Sequence, residues 1–134
     1  WGEKNGRKPL ARILSAASAA VEPRIMGVGP AYAIPKALER AQLSLKDMDI
    51  IEINEAFASQ VLGCLAILKV DFKDPRVNPN GGAIAIGHPL GASGARLAIT
   101  VSRQLQETGS KYAAVSLCIG VGQGFAVILE RVPS

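Results

Sequence analysis

The sequence predicts an α/β layered domain with a mixed β-sheet and helices on its faces. Strand-like runs alternate with runs of helical period, and the chain closes on two consecutive strands. A length of 134 residues fits one domain, enough to bury roughly two thirds of the unfolded surface. Apolar residues make up 49% and charged residues 19%, too apolar a balance for disorder. The apolar material is mostly small: 20 Ala and 14 Gly stand against six aromatics, so the core must rest on close packing, and such a core often meets another surface. No internal repeat is evident.

In chain order, Pro9 to Val21 carries Leu10, Ile13, Leu14 and Val21 without helix-length amphipathicity and reads as a long strand ending near Pro23. Met26 to Pro30 reads as a loop. Ala31 to Leu43 has helical spacing, and Pro35, tolerated only near a first turn, sets the helix running from about there. Ile50 to Ile53 is a short strand. A helix then follows with Asn54 as its N-cap and Phe57, Val61, Leu65 and Leu68 on one stripe, which Cys64 shares. Residues 69–82 are a polar loop and Ala83 to Ile86 an apolar segment read as a short strand. Gly87 to Gly94 is a Gly-rich loop opening a helix with Leu97, Ala98, Val101 and Leu105 on one face, which Gly109 can end. Tyr112 to Cys118 and Phe125 to Val132 are strands joined by residues 119–124.

The formal charge of +4 is local: Lys4, Arg7, Lys8 and Arg12 against Glu3 give +3, leaving 11 basic and 10 acidic residues beyond. No aromatics are interleaved with these charges for stacking, so a solvated tether is favoured over a nucleic-acid arm. Two cysteines and one histidine cannot supply the four ligands of a structural zinc site. The longest apolar run, Val61 to Leu68, falls far short of the about 18 residues of a membrane span. A reducing compartment is expected: the cytoplasm, or in a eukaryote the mitochondrion or peroxisome. Because the chain opens at Trp1, residues 1–8 read as a linker from an upstream part, with the domain at 9–134.

Several positions could carry chemistry. Gly120, Gly122 and Gly124 lead from strand to strand, whereas a dinucleotide fingerprint must open a helix; the Gly87 to Gly94 loop does so but lacks a P-loop Lys-Ser/Thr pair. His88 reads either as a surface residue or as a ring held in a fixed direction by Gly87, Pro89 and Gly91. Cys118, at a strand end before a glycine turn, reads as an inert buried thiol or as one presented to a cleft; Cys64 on its helix stripe reads as core.

Three segments resemble signature blocks of the thiolase family: Asn54-Glu55-Ala56-Phe57-Ala58, Asn80 to Arg96 around Gly87-His88-Pro89, and Cys118-Ile119-Gly120-Val121-Gly122-Gln123-Gly124. They stand in the family's order, and Met26 to Pro30 resembles a fourth block. The likeness runs from about Leu10 to the end and corresponds to the C-terminal half of the family's duplicated core, roughly the last third of a thiolase.

The resemblance implies acyl transfer between coenzyme A thioesters: thiolysis of a 3-oxoacyl-CoA, or the reverse Claisen condensation. Coenzyme A enters as substrate, and no permanently bound cofactor or metal is implied. By motif, His88 would activate the nucleophile and offer a hydrogen bond to the thioester oxygen, and Asn54 would position a water completing that oxyanion hole. Cys118 would be the acid/base at the α-carbon, suited to this if its surroundings lower its reference pKa of about 8.5. The Gly120 amide would join a second oxyanion hole, and Phe57 would line the acyl pocket. The nucleophilic Cys belongs to an N-terminal block with no counterpart here, so the chain should be a catalytic half-site, inactive alone and partnered by an N-terminal thiolase domain, in a homodimer or homotetramer. Residues 79–81 and 120–124 resemble thiolases acting on 3-oxoadipyl-CoA. The competing reading is a noncatalytic acyl-CoA-binding or assembly module.

Overall fold

The computed structural model describes residues 1–133, apart from the side chain of Glu3; Ser134, the last residue of the expected domain 9–134, lies outside them. Four strands form one mixed sheet: β1 (Ala11–Ala20), β2 (Ile50–Ile53), β3 (Tyr112–Ile119) and β4 (Gln123–Arg131), in the order β1-β4-β3-β2. β4 runs antiparallel to both β1 and β3, and β2 pairs parallel with β3. A parallel pair needs a crossover, and the residues between β2 and β3 supply it as helices.

One face of the sheet is covered by α1 (Gly29–Ala41) and α2 (Ala58–Leu68). Ile34, Ala37 and Leu38 of α1 and Cys64 and Leu65 of α2 pack there on Ala17, Ala19, Ile51, Ile53, Ala114, Ala126 and Ile128. The other face carries one helix, α4 (Ser93–Thr108), whose Leu97, Val101 and Leu105 meet Ile50, Ala113, Val115 and Leu129. The small residues have a local reason: a Cβ on Gly124 of β4 would collide with the backbone of Gly29, and one on Gly29 with the backbone of Gln123. The first turn of α1 thus lies directly on β4, main chain against main chain.

Four local expectations need correcting. Met26 to Pro30, expected as a loop, is instead the end of a 3-10 stretch, Pro23–Val28, and the first two residues of α1. α1 begins at Gly29 with Pro30 in its first turn, so Pro35 is a mid-helix residue; its missing N–H and ring cost about 3 kcal/mol in a helix interior, and the buried flank of Ile34, Ala37 and Leu38 offsets that. Asn54 does not cap α2. Its backbone N–H bonds the Ser116 carbonyl at 2.9 Å, extending the β2–β3 pairing, and extended Phe57 stands at the N-cap with no side-chain cap. Ala83–Ile86 is a helical turn, α3, with no strand beside it: the Glu55 carboxylate takes the Ile84 N–H at 3.0 Å, a helix-start arrangement.

Candidate functional site

Because β2 and β3 are parallel, their C-terminal ends lie at one edge of the sheet, where open α/β sheets place ligands. Asn54 leaves the end of β2 there, and Cys118 sits at the end of β3, two residues past Ser116, the partner of Ile53. Strand alternation sends them to different faces. Ala114, Ser116 and Cys118 look toward α1 and α2, while Ile50, Glu52 and Asn54 look toward α4.

His88 reaches Asn54 from the loop before α4. The Asn54 amide nitrogen stands 3.3 Å from His88 Nε2 and 3.4 Å from Nδ1. Near-equal distances place it off the lone-pair axis of either nitrogen, so it holds the ring loosely. Nδ1 has a much closer partner, the Ser93 hydroxyl oxygen at 2.6 Å. That hydroxyl also lies 3.1 Å from the Pro89 carbonyl, to which it can donate. Ser93 is fully buried in the first turn of α4, and Asn54 is 2% exposed. The Asn54 carbonyl oxygen is buried without a hydrogen-bond partner, the kind of unsatisfied group that calls for an explanation by use.

Residues around the cluster hold its loops. Glu55 accepts from the Ile84 N–H and from the Asn78 amide at 3.1 Å, and Gly82 packs so close to its carboxylate that a Cβ would overlap it. Asn78, in the left-handed region, accepts from the Ile53 N–H at 2.9 Å and donates to the Ile53 carbonyl at 3.0 Å, closing the open edge of β2. Arg96 of α4 donates to the Gly87 carbonyl at 2.6 Å, fixing the loop next to His88. Sequence reasoning passed over Ser93, Glu55 and Asn78 as site supports. Ser93 had a readable signal, a hydroxyl one helical turn after Pro89 and five residues after the only histidine; the roles of Glu55 and Asn78 depend on the path of residues 78–84.

Cys118 is 8% exposed, and burial pushes its thiol up, so its surroundings in this chain act against the lowering that acid/base work at neutral pH would favour. Among the described residues it has no hydrogen bond to His88 or Asn54. Cys64 is fully buried, donates to the Gly27 carbonyl at 3.5 Å and has its thiol likewise raised by burial, so it is a core residue. Gly120 is exposed in the β3–β4 turn, whose next residue, Val121, takes a positive φ of 69° at 84% exposure. A β-branched residue there is strained, and such strain gathers at functional loops. Phe57 is 64% exposed, so no acyl pocket encloses it within this chain. A groove of about 500 Å³ between α1 and α2 shares no residue with the cluster.

Residues 7–131 match the family described as Thiolase, C-terminal domain. The chain belongs to the thiolase family. It is 59% identical over 127 residues to the 3-oxoadipyl-CoA/3-oxo-5,6-dehydrosuberyl-CoA thiolase of Escherichia coli K12, covering 95% of this chain and 32% of that protein. To a beta-ketoadipyl-CoA thiolase of Acinetobacter baylyi it is 58% identical over 125 residues, 93% of this chain and 31% of that one. The human mitochondrial 3-ketoacyl-CoA thiolase, also solved in complex with CoA, superposes with a TM-score of 0.93 at 48% identity over 98% of this chain and 33% of its own. The chain thus spans about a third of the length of the thiolases it matches, as their C-terminal domain.

Proposed function

We propose that this thiolase domain supplies the acid/base and oxyanion half of a site for acyl transfer between coenzyme A thioesters. The observation that carries the reading is the meeting of Asn54 and His88 at the C-terminal edge of β2, with a buried hydroxyl gripping the imidazole and the neighbouring strand β3 ending at Cys118. Making or breaking the carbon–carbon bond beside a thioester generates enolate charge. Polar donors fixed before the reaction, in a site closed to water, stabilise that charge without reorganising. His88 accepts the proton of a nucleophilic thiol from the other half of the protein and then donates it as a hydrogen bond to the thioester oxygen. Asn54 completes that hole through a water, and the Gly120 amide serves a second one. Cys118 gives a proton to the leaving acetyl-CoA enolate, or removes the α-proton in synthesis. Its raised pKa suits the protonated, donating form in this direction.

The N-terminal thiolase domain is the natural cover for the incomplete face. The sheet surface under α4 is shielded by one helix, and Leu10, Ile13 and Ile99 line an open apolar groove there, Ile13 at 68% exposure. The names of the bacterial relatives favour a 3-oxoadipyl-CoA as substrate. Phe57 would line the acyl pocket once that domain is in place.

The test is Cys118→Ala in a complete protein containing this domain, assayed for thiolysis of 3-oxoadipyl-CoA. Loss of the acid/base should lower kcat by about 10²–10⁴-fold with little change in KM. A mutant rate within a few-fold of the parent removes Cys118 from the mechanism.

A further inference from the structure

The hydrogen bonds around His88 bring in Ser93, a residue to which the motifs give no role. A neutral imidazole carries one N–H and one acceptor nitrogen, and which is which depends on its partners. Nδ1 lies 2.6 Å from the Ser93 hydroxyl oxygen, and that hydroxyl has an acceptor of its own in the Pro89 carbonyl at 3.1 Å. The Asn54 amide nitrogen, a donor on a side chain that is 2% exposed, lies 3.3 Å from Nε2 and 3.4 Å from Nδ1. When the Ser93 O–H goes to the Pro89 carbonyl, its oxygen is left to accept from His88 Nδ1–H, and Nε2 is the ring nitrogen left as acceptor. The opposite tautomer would turn the Ser93 O–H away from the Pro89 carbonyl to donate to Nδ1.

From this chain of donors and acceptors we infer that Ser93 is a positioning residue: its hydroxyl holds His88 as the Nδ1–H tautomer and leaves Nε2 as the nitrogen that accepts and returns a proton. The inference rests on the acyl-transfer reading for its purpose but on the hydrogen bonds alone for its content. It gives the proton step a direction. A thiol S–H breaks, its proton forms the Nε2–H bond, and the pair left is a thiolate and an imidazolium whose Nδ1–H is still accepted by Ser93. Nε2–H then faces the thioester oxygen. The Asn54 contact, long and off-axis, yields to the incoming proton. The site on Ser93 is rigid: the residue is fully buried in the first turn of α4, and its own N–H bonds Pro89 at 2.9 Å.

His88 is the only histidine of the chain, so a ¹⁵N spectrum of the imidazole reads its tautomer without overlap. With the imidazole neutral, the ring of the 134-residue chain should show Nδ1 protonated and Nε2 as acceptor. Ser93→Ala should shift it to the Nε2–H form that a free histidine side chain prefers, and Ser93→Thr, which keeps the hydroxyl, should restore Nδ1–H. An Nε2–H ring in the parent chain overturns the inference, as does an Nδ1–H ring in Ser93→Ala. Should Ser93→Ala not fold, the parent and the Ser93→Thr spectra decide it, an Nε2–H ring in either being contrary. These spectra need no turnover, so a Cys118→Ala enzyme of normal rate would remove Cys118 from the proposed mechanism while leaving the tautomer result standing.

Discussion

At the residue scale, the motifs point at the groups proposed to react and the structure at the groups that hold the loops around them. His88, Asn54 and Cys118 were legible because their motifs are short and their types rare: one histidine, two cysteines. Ser93, Glu55 and Asn78 were not, because hydroxyls, carboxylates and amides are common and only the fold decides which faces a ring or a loop amide. Glu52 belongs with the second group. It is buried on β2 two residues before Asn54, one carboxyl oxygen has no partner, and burial, with the Glu55 carboxylate second, pushes it up to about 7. The folded state therefore binds this proton more tightly than the unfolded chain does. Below the unfolded pKa, near 4.5, both states are protonated and there is no penalty. As pH rises from there to about 7, the unfolded chain ionises first and stability falls, by up to about 3 kcal/mol. Denaturant titrations of the chain at pH 5 and pH 8 should show that fall, and Glu52→Gln should flatten it. An unchanged pH dependence in Glu52→Gln would assign the effect to other groups.

At the scale of elements, the four strands and the three long helices were read from period and turn residues, and the ends of elements were where the reading slipped. The reasons are tertiary. Asn54 has the chemistry of a cap, but β3 offers its backbone a strand partner, so α2 starts four residues later. Ala83–Ile86 has strand-like residues with no edge to join, and a carboxylate at its N-terminus makes a helical turn instead. Pro35 sits mid-helix because α1 is held by its buried flank and by the contact of Gly29 with Gly124. That contact gives a sharp prediction. Gly124→Ala places a methyl into the Gly29 backbone, which cannot move as a side chain would. The chain should lose about 1–3 kcal/mol or more in denaturant melts. Gly91→Ala, at a glycine whose added Cβ meets nothing within 4 Å, should stay within about 0.5 kcal/mol. Equal costs for the two would mean that the α1–β4 contact is not tight.

At the scale of the whole molecule, a sheet face carrying one helix and an open apolar groove beside it fit the proposed packing against an N-terminal domain. Ile13, Ile99 and Leu10 are exposed beside α4, and Phe57, Leu90 and Val121 are exposed on the loops around the site. A second domain would cover both regions. Neither cysteine is placed to act as the nucleophile: Cys64 is sealed in the core, and Cys118 is 8% exposed with its thiol pushed up by burial, its proposed part being that of proton carrier. A homogeneous preparation of residues 1–134 should therefore show no thiolysis of acetoacetyl-CoA above the buffer rate, and steady turnover by it would refute the half-site reading. The sequence by itself determined the fold class and the family and named the side chains proposed to react, because period and motif are local and survive in one dimension. The tertiary structure alone decided that Asn54 ends a strand, that Ser93 grips the imidazole and that Glu52 is buried beside them, because hydrogen-bond partners and desolvation depend on what the chain brings together from 5 to 34 residues away.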